Sequence, residues 1–213
     1  MDALLTDFSW PAFWSIFTGL EFWGAVTGAW CVWLCVKERI ENFPVGILNV
    51  VIFFFMFWHF KLYASAILQV FFLGLCIWGW YVWATGNKNT KEVRVTRNVK
   101  FDEAIMALII GASGTYAFGN YLATTGDPAP YTDAGIAVFS VISQYFMSKK
   151  VFQCWYLWIS IDVFAIYIYS GSGLHITAAL YFMFLCMCVK GIYEWKNEPA
   201  YKKLSAGKIS TTA

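Results

Sequence analysis

Asp162 is the acidic residue of this chain that lies deep inside an apolar run, whereas the other acidic residues lie in connections, tails or at the ends of apolar segments. Trp155 and Trp158 precede it at spacings that place all three side chains on one face of a helix. A carboxylate inside a membrane is costly and by default indicates a functional site. The alternative is a hydrogen-bonded packing role for Asp162 with the tryptophans in an interfacial belt. The depth of Trp158 and Asp162 favours the functional interpretation.

Two further apolar segments each carry a stripe of polar and aromatic residues at helical spacing. The stripes are Ser65, Gln69, Phe72, Cys76, Gly79 and Trp83 in the first segment and Thr177, Tyr181, Phe184, Cys188, Gly191 and Trp195 in the second. Such faces suit a small, flat, partly polar ligand that stacks on rings and forms directional hydrogen bonds. Helix packing is the alternative. It explains Ser65, Gly79 and Gly191 best, while Gln69 and Tyr181 fit either role.

The pattern of metal-ligating and nucleotide-binding residues argues against an enzyme. The six cysteines form no C-x-x-C pair, and both histidines lie near span ends, so we expect no zinc site or other metal. The chain contains neither a P-loop nor a G-x-G-x-x-G motif. A retinal receptor would need a lysine in mid-membrane, and Lys190 lies at the inner end of the last span. We therefore expect no cofactor and no enzymatic activity.

These residues must be positioned by membrane-spanning helices. The chain has 213 residues, of which 60% are apolar, 21% aromatic and only 13% charged, whereas soluble domains carry about 25% charged residues. The net charge of +2 indicates no nucleic-acid partner. The composition predicts an all-α integral membrane protein embedded in the lipid bilayer. Seven spans are expected at about 20–36, 45–60, 66–84, 104–120, 134–147, 154–170 and 174–190.

Basic residues predict the orientation of these spans. All but one of the 15 lysines and arginines lie in alternate connections and the tail, and Lys61 is the exception. The positive-inside rule places the amino terminus outside and the carboxyl terminus in the cytoplasm. Residues 4–18 lack a basic region and a cleavage site, so they predict a short helix in the outer interface and no signal peptide.

An internal repeat relates the third and seventh spans at an offset of 112 residues. Matching positions include Phe72 with Phe184, Cys76 with Cys188, Gly79 with Gly191 and Trp83 with Trp195. The same offset brings Asn49 within one position of Asp162, as a rough counterpart. Two parallel three-helix repeats joined by a linker helix are typical of transporters that hold substrate between their halves. The predicted divisions of the single membrane domain 1–213 are the repeats at 20–85 and 132–196, the linker region with the fourth span at 86–131, and the cytoplasmic tail at 197–213.

Two motifs resemble those of the PnuC-type bacterial vitamin transporters, which take up nicotinamide riboside. They are Gln69-x2-Phe72-x6-Gly79-Trp80-Tyr81-x-Trp83 on the third span and Trp155-x2-Trp158-x3-Asp162-x6-Tyr169 on the sixth. The resemblance extends over essentially the whole chain through its three-plus-one-plus-three layout. It implies a SWEET-like fold, a homotrimer in the bacterial inner membrane, and facilitated diffusion by alternating access. Phosphorylation of the vitamin by a cytoplasmic nicotinamide riboside kinase would trap it.

The resemblance also implies residue roles. Ligand contact is expected at Gln69, Trp155, Trp158 and Asp162, and gating or site-lining roles are expected at Phe72, Trp80, Trp83, Tyr169 and Tyr181. The polar stripes add Thr177 and Phe184, and the repeat adds Asn49, as candidate site residues. Related family members carry thiamine, riboflavin or deoxynucleosides, so another vitamin or nucleoside is the alternative substrate. A seven-helix sensor that binds the vitamin without transporting it is the alternative function.

Overall fold

A computed structural model describes residues 19–60, 62–85, 96–127, 129–171, 175–199 and 201–202 of the chain, without the side chains of residues 20, 21, 176 and 177. The expected interfacial segment 4–18 and Lys61 lie outside this part.

The described residues form seven helices. Their bounds are α1 Leu20–Val36, α2 Asn42–His59, α3 Tyr63–Thr85, α4 Phe101–Thr124, α5 Pro130–Ser148, α6 Cys154–Gly171 and α7 His175–Asn197. The predicted all-α membrane fold is confirmed, with each helix close to its expected position.

Five of these helices are long and apolar enough to cross a membrane: α2, α3, α4, α6 and the Ala178–Asn197 part of α7. Helix α1 is apolar but one residue short of that length. Helix α5 is not among these five apolar helices. It contains three serines that are buried inside the protein, Ser140, Ser143 and Ser148. Its environment explains this, since α5 packs against three other helices, α3, α4 and α6.

Six of the helices form a closed ring. Around it, α1 packs on α2, α2 on α3, α3 on α5, α5 on α6, α6 on α7, and α7 on α1 again. Helix α4 packs against α5 outside this ring. The predicted linker helix is therefore the one that the ring leaves out.

The turns that follow α1 and α5 have the same backbone structure, 112 residues apart. Glu38 has a φ of 54° and Lys150 a φ of 52°, both in the left-handed region that non-glycine residues rarely adopt. In each turn the following residue donates to a carbonyl five positions earlier: Arg39 N–H to Leu34 O and Val151 N–H to Phe146 O, both at 2.9 Å. Two equal turns at this offset are what a repeat predicts.

Aromatic packing repeats at the same offset. The rings of Phe43 and Trp83 meet edge-on at 5.1 Å, and those of Trp155 and Trp195 at 5.3 Å. Each pair joins the second and third helices of its predicted repeat at a glycine, Gly79 or Gly191. These contacts support the division into two repeats, whose boundaries stay a prediction.

Basic residues gather at one end of the bundle. Lys37 pairs with Glu194 at 2.6 Å, and Arg97 and Lys149 both pair with Glu103, at 2.7 and 3.3 Å. The connection before α4 is also attached here, because Phe152 N–H donates to Arg97 O at 2.8 Å. We call this end of the bundle the basic end.

Candidate functional site

The ring encloses a cavity of about 320 Å³. All six ring helices contribute lining residues, whereas α4 contributes none among the described residues. The volume lies at the lower end of the range, about 300–1,000 Å³, that is usual for small-molecule sites. A central cavity between the two predicted repeats is the place where a transporter of this layout holds its substrate.

Most of the predicted site residues line this cavity. They are Asn49, Gln69, Phe72, Trp155, Trp158, Asp162, Tyr181 and Phe184. Trp80, Trp83 and Tyr169 do not line it, and the Thr177 side chain lies outside the described part of the structure.

The three predicted residues outside the lining occupy different environments. Trp80 is 41% exposed on the surface of the bundle. Trp83 is buried at the basic end, where its indole N–H donates to Ser148 O at 3.2 Å. Tyr169 stacks on Tyr181 with ring centroids 5.4 Å apart, so it supports a lining residue from behind. Any gating by these three residues would therefore act without direct contact with a ligand in this cavity.

Asp162 lies on α6 with only 3% of its surface exposed. The thiol of Cys188, on α7, donates to its Oδ2 at 3.5 Å. In the described part of the chain, no lysine, arginine or histidine forms an ion pair with it. A buried carboxylate with one weak donor is electrostatically incomplete, and a cationic ligand would compensate it.

Trp158 offers both a ring face and a hydrogen-bond donor. It lies one helical turn before Asp162 and lines the cavity, and its Nε1 is buried without a hydrogen-bond partner among the described residues. A buried indole N–H normally finds an acceptor. A ligand that stacks on this ring could also supply that acceptor.

We expect the two roles of Trp158 to separate in a pair of variants. Trp158→Leu removes cation–π and stacking energy of about 1–2 kcal/mol, which lowers ligand affinity roughly 5- to 30-fold. Trp158→Phe keeps an aromatic face but loses the donor, so its loss should be smaller. Trp30→Leu, at an exposed tryptophan of α1 that does not line the cavity, is the matched control. Calorimetry on detergent-solubilised protein measures all three, and equal affinities for the Phe and Leu variants would rule out stacking.

Two amide side chains of the first predicted repeat differ in the hydrogen-bonding groups that remain free for a ligand. Asn49 Nδ2 donates to Gly24 O at 2.6 Å and to Thr27 Oγ1 at 2.9 Å, which uses both amide hydrogens. Its carbonyl oxygen remains as an acceptor. Gln69 forms no hydrogen bond with other described residues, so its amide retains both donors and the acceptor. Together they can accept from and donate to a ligand carboxamide or hydroxyl.

Gln144 on α5 is a lining residue that the sequence analysis missed. Its Nε2 has one weak contact, with Cys76 Sγ at 3.9 Å. A signal was available: Ser140, Ser143, Gln144 and Met147 follow the i, i+3, i+4, i+7 pattern of one helix face. That pattern predicts an inward polar face on α5, which the structure contains.

The two halves of the cavity are unlike at matching positions. Val50 occupies the position equivalent to Asp162, and Gly46 the position equivalent to Trp158, and all four line the cavity. The second repeat thus supplies the charge and the stacking ring, and the first supplies smaller or apolar side chains. A planar cation is expected to lie against the second repeat.

An ion pair between a buried lysine and a partly buried glutamate lies at the basic end next to the cavity. Lys150 Nζ lies 2.6 Å from Glu38 Oε2 and 4.6 Å from the centroid of the Trp83 ring, and Lys150 is only 1% exposed. Burial raises the pKa of the Glu38 carboxyl above its usual value, although Lys150 beside it acts in the opposite direction. Charged residues are rarely buried this deeply unless they are paired.

Comparisons with known proteins identify relatives over most of the chain. The family described as Nicotinamide mononucleotide transporter matches residues 18–197. The nicotinamide riboside transporter PnuC of Escherichia coli is 26% identical over 84% of this chain and 85% of its own, and that of Neisseria mucosa is 25% identical over 80% and 69%. The riboflavin/roseoflavin transporter RibM of Streptomyces davaonensis is 23% identical over 81% and 82%.

A solved structure shares the fold. The crystal structure of the vitamin B3 transporter PnuC superposes with a TM-score of 0.68 at 23% identity and covers 86% of this chain and 82% of that chain. The family match spans all seven described helices and the cavity that six of them enclose. The chain therefore belongs to the nicotinamide mononucleotide transporter family, to which the PnuC proteins belong, and is a multi-pass membrane transporter.

Proposed function

We propose that this transporter carries nicotinamide riboside. The main support for the proposal is that Asp162 is buried in the cavity beside Trp158 and has no counter-cation among the described residues. Nicotinamide riboside has a permanently cationic pyridinium ring, a carboxamide and a ribose. Asp162 would compensate the charge, Trp158 would stack on the ring, and Gln69 and Asn49 would bind the amide or hydroxyl groups.

The charges of the cavity favour the riboside over the mononucleotide that the family description names. A phosphate group brings negative charge, which proteins normally bind with arginine, lysine or a helix amino terminus. No lysine, arginine or histidine is found among the described residues that line this cavity, and Asp162 adds a negative charge there. A phosphorylated substrate would therefore be repelled and left without a partner.

The riboflavin transporter among the relatives suggests a second substrate class. The flavin ring system is uncharged and larger than a pyridinium ring, so it would leave the Asp162 carboxylate uncompensated. This favours nicotinamide riboside, and riboflavin serves as the competing substrate in the transport test.

We further propose facilitated diffusion by alternating access between the two three-helix repeats, followed by phosphorylation in the cytoplasm. Asp162 is the only carboxylate among the described lining residues, so a proton relay would lack a second acid in the cavity. The basic end would face the cytoplasm of a bacterial inner membrane, as the positive-inside rule indicates. The family resemblance supports a homotrimer and a functional link to a nicotinamide riboside kinase.

Uptake into liposomes tests this function. Purified protein is reconstituted in vesicles that contain ATP and a nicotinamide riboside kinase, and labelled substrates are added outside. We expect labelled nicotinamide riboside to accumulate as its phosphorylated product, with little accumulation when the kinase is absent. Labelled nicotinamide mononucleotide should not enter. Binding without accumulation would instead favour a sensor, and faster riboflavin uptake would contradict the proposed substrate.

A further inference from the structure

The partly buried pair Glu38–Lys150 joins equivalent positions of the two predicted repeats. The residues are 112 positions apart, each has a positive φ, and each follows the last turn of the first helix in its repeat. A contact between equivalent positions lies on the axis that relates the two halves. A second contact of this kind lies beside it, where Cys35 Sγ is 3.1 Å from Met147 Sδ, also 112 positions apart.

These contacts lie across one end of the cavity. Cys35 and Met147 line it, and Glu38 and Lys150 follow them by three residues on the side toward the basic end. The adjacent residues Val36 and Val151 are both fully buried. The cavity is therefore closed here by the two turns, with the ion pair between them.

Two tryptophans form hydrogen bonds that connect each predicted repeat to the other one at these turns. Trp83 of the first repeat donates to Ser148 O in the second, and Trp195 of the second repeat donates to Cys35 O in the first, at 3.2 and 3.1 Å. The Trp83 ring also faces Lys150 Nζ. Each repeat thus holds the end of the other repeat's first helix, and moving the halves apart would break both hydrogen bonds and the ion pair.

We propose that Glu38 and Lys150 are the latch of the inner gate, and that they separate to release the substrate toward the cytoplasm. This rests on the proposed transport function. The burial of Lys150 suits a two-state gate, because leaving its charge unpaired inside the protein is strongly unfavourable unless water enters with the separation. Partly separated states are therefore disfavoured, and the gate is either closed around Lys150 or open and hydrated.

Thiol labelling tests the latch without any substrate. Cys31 lines the cavity, and a parent variant that keeps Cys31 alone among the six cysteines serves as the reporter. A membrane-impermeant maleimide is added to inverted inner-membrane vesicles, which expose the cytoplasmic face, or to spheroplasts, which expose the opposite face. E38Q leaves Lys150 buried and unpaired, so we expect labelling in inverted vesicles to accelerate about tenfold or more, and labelling in spheroplasts not to accelerate.

Two further variants distinguish an effect on the gate from a general destabilisation of the fold. The exchange E38K/K150E restores opposite charges at positions with equal backbone conformation, and it should return labelling toward the parent rate. E41Q removes a charge from the exposed pair Arg39–Glu41 and should leave the rate unchanged. The proposal is wrong if E38Q labels at the parent rate, or if E38Q and the exchanged pair accelerate labelling equally.

A cross-link provides a second measurement that does not depend on E38Q folding. In a background without the native cysteines, E38C/K150C is bridged by a reducible bis-thiosulfonate that spans the distance of the ion pair. We expect complete cross-linking to stop uptake of nicotinamide riboside and a reducing agent to restore it. Uptake at the unlinked rate after complete cross-linking would overturn the latch. If the parent protein takes up no nicotinamide riboside, the proposed substrate fails, while the labelling rates still decide the gate.

Discussion

Asp162→Asn is expected to remove most of the affinity for nicotinamide riboside while the protein remains folded. The carboxylate is buried on α6 without a counter-cation in the described structure, so the substrate cation would be its partner. Removing one member of such a buried pair costs about 2–5 kcal/mol. That corresponds to a loss of affinity of roughly 30- to 5,000-fold, measured by calorimetry on solubilised protein.

A neutral analogue separates charge recognition from shape. The reduced, dihydropyridine form of the riboside has nearly the same outline but no positive charge, so Asp162→Asn should weaken its binding far less. Asp133→Asn, at an exposed carboxylate in the first turn of α5, is the matched control and should bind like the parent. Equal losses for the charged and neutral ligands would contradict a role in charge recognition.

Transport by the same variant tests the alternative role of Asp162 in proton coupling. If Asp162 contacts the ligand, downhill flux should fall together with affinity. If it relays protons, Asp162→Asn would retain downhill flux and lose only accumulation driven by a pH gradient. The second outcome would mean that the assigned role is wrong.

The sequence predicted the parts of the fold and site that depend on local pattern or on the repeat. Seven helices followed from apolar runs of membrane-spanning length, and Asp162 stood out because a charge in such a run is costly. The matching stripes placed Gln69 and Tyr181, Phe72 and Phe184 on inward faces, and the structure finds all four in the cavity lining.

The sequence was less informative where contacts between residues far apart in the chain determine whether a side chain is buried, exposed or paired. Trp80 belongs to the same motif as Gln69 and lies eleven residues later, close to three helical turns, so spacing alone places it near the face of Gln69; yet it is 41% exposed and does not line the cavity. Gln144 was missed because it lies on the most enclosed helix and has no polar counterpart: the equivalent position is Val32. The pairing of Glu38 with Lys150 depends on two turns meeting across the bundle, which neither turn encodes alone.

Gly191→Ala is expected to lower both stability and ligand affinity. A Cβ at this position would lie 2.6 Å from the Trp155 indole, and Trp155 is fully buried against the edge of Trp195. The indole would have to shift to make room for the methyl group, and overpacking of this kind typically costs about 1–3 kcal/mol. The melting temperature of the solubilised protein should fall, and the displaced Trp155 should weaken binding because it also lines the cavity.

The control for this prediction lies in the matching helix of the other repeat. Gly74 on α3 has nothing within 4 Å of an added Cβ, so Gly74→Ala adds a methyl group in open space. Alanine favours a helix over glycine by about 0.5–1 kcal/mol, so this variant should melt at or above the parent temperature and bind like the parent. If Gly191→Ala melts like Gly74→Ala, the backbone of α7 must move away from Trp155 easily. In that case close packing at Gly191 would not be what holds Trp155 in the cavity wall.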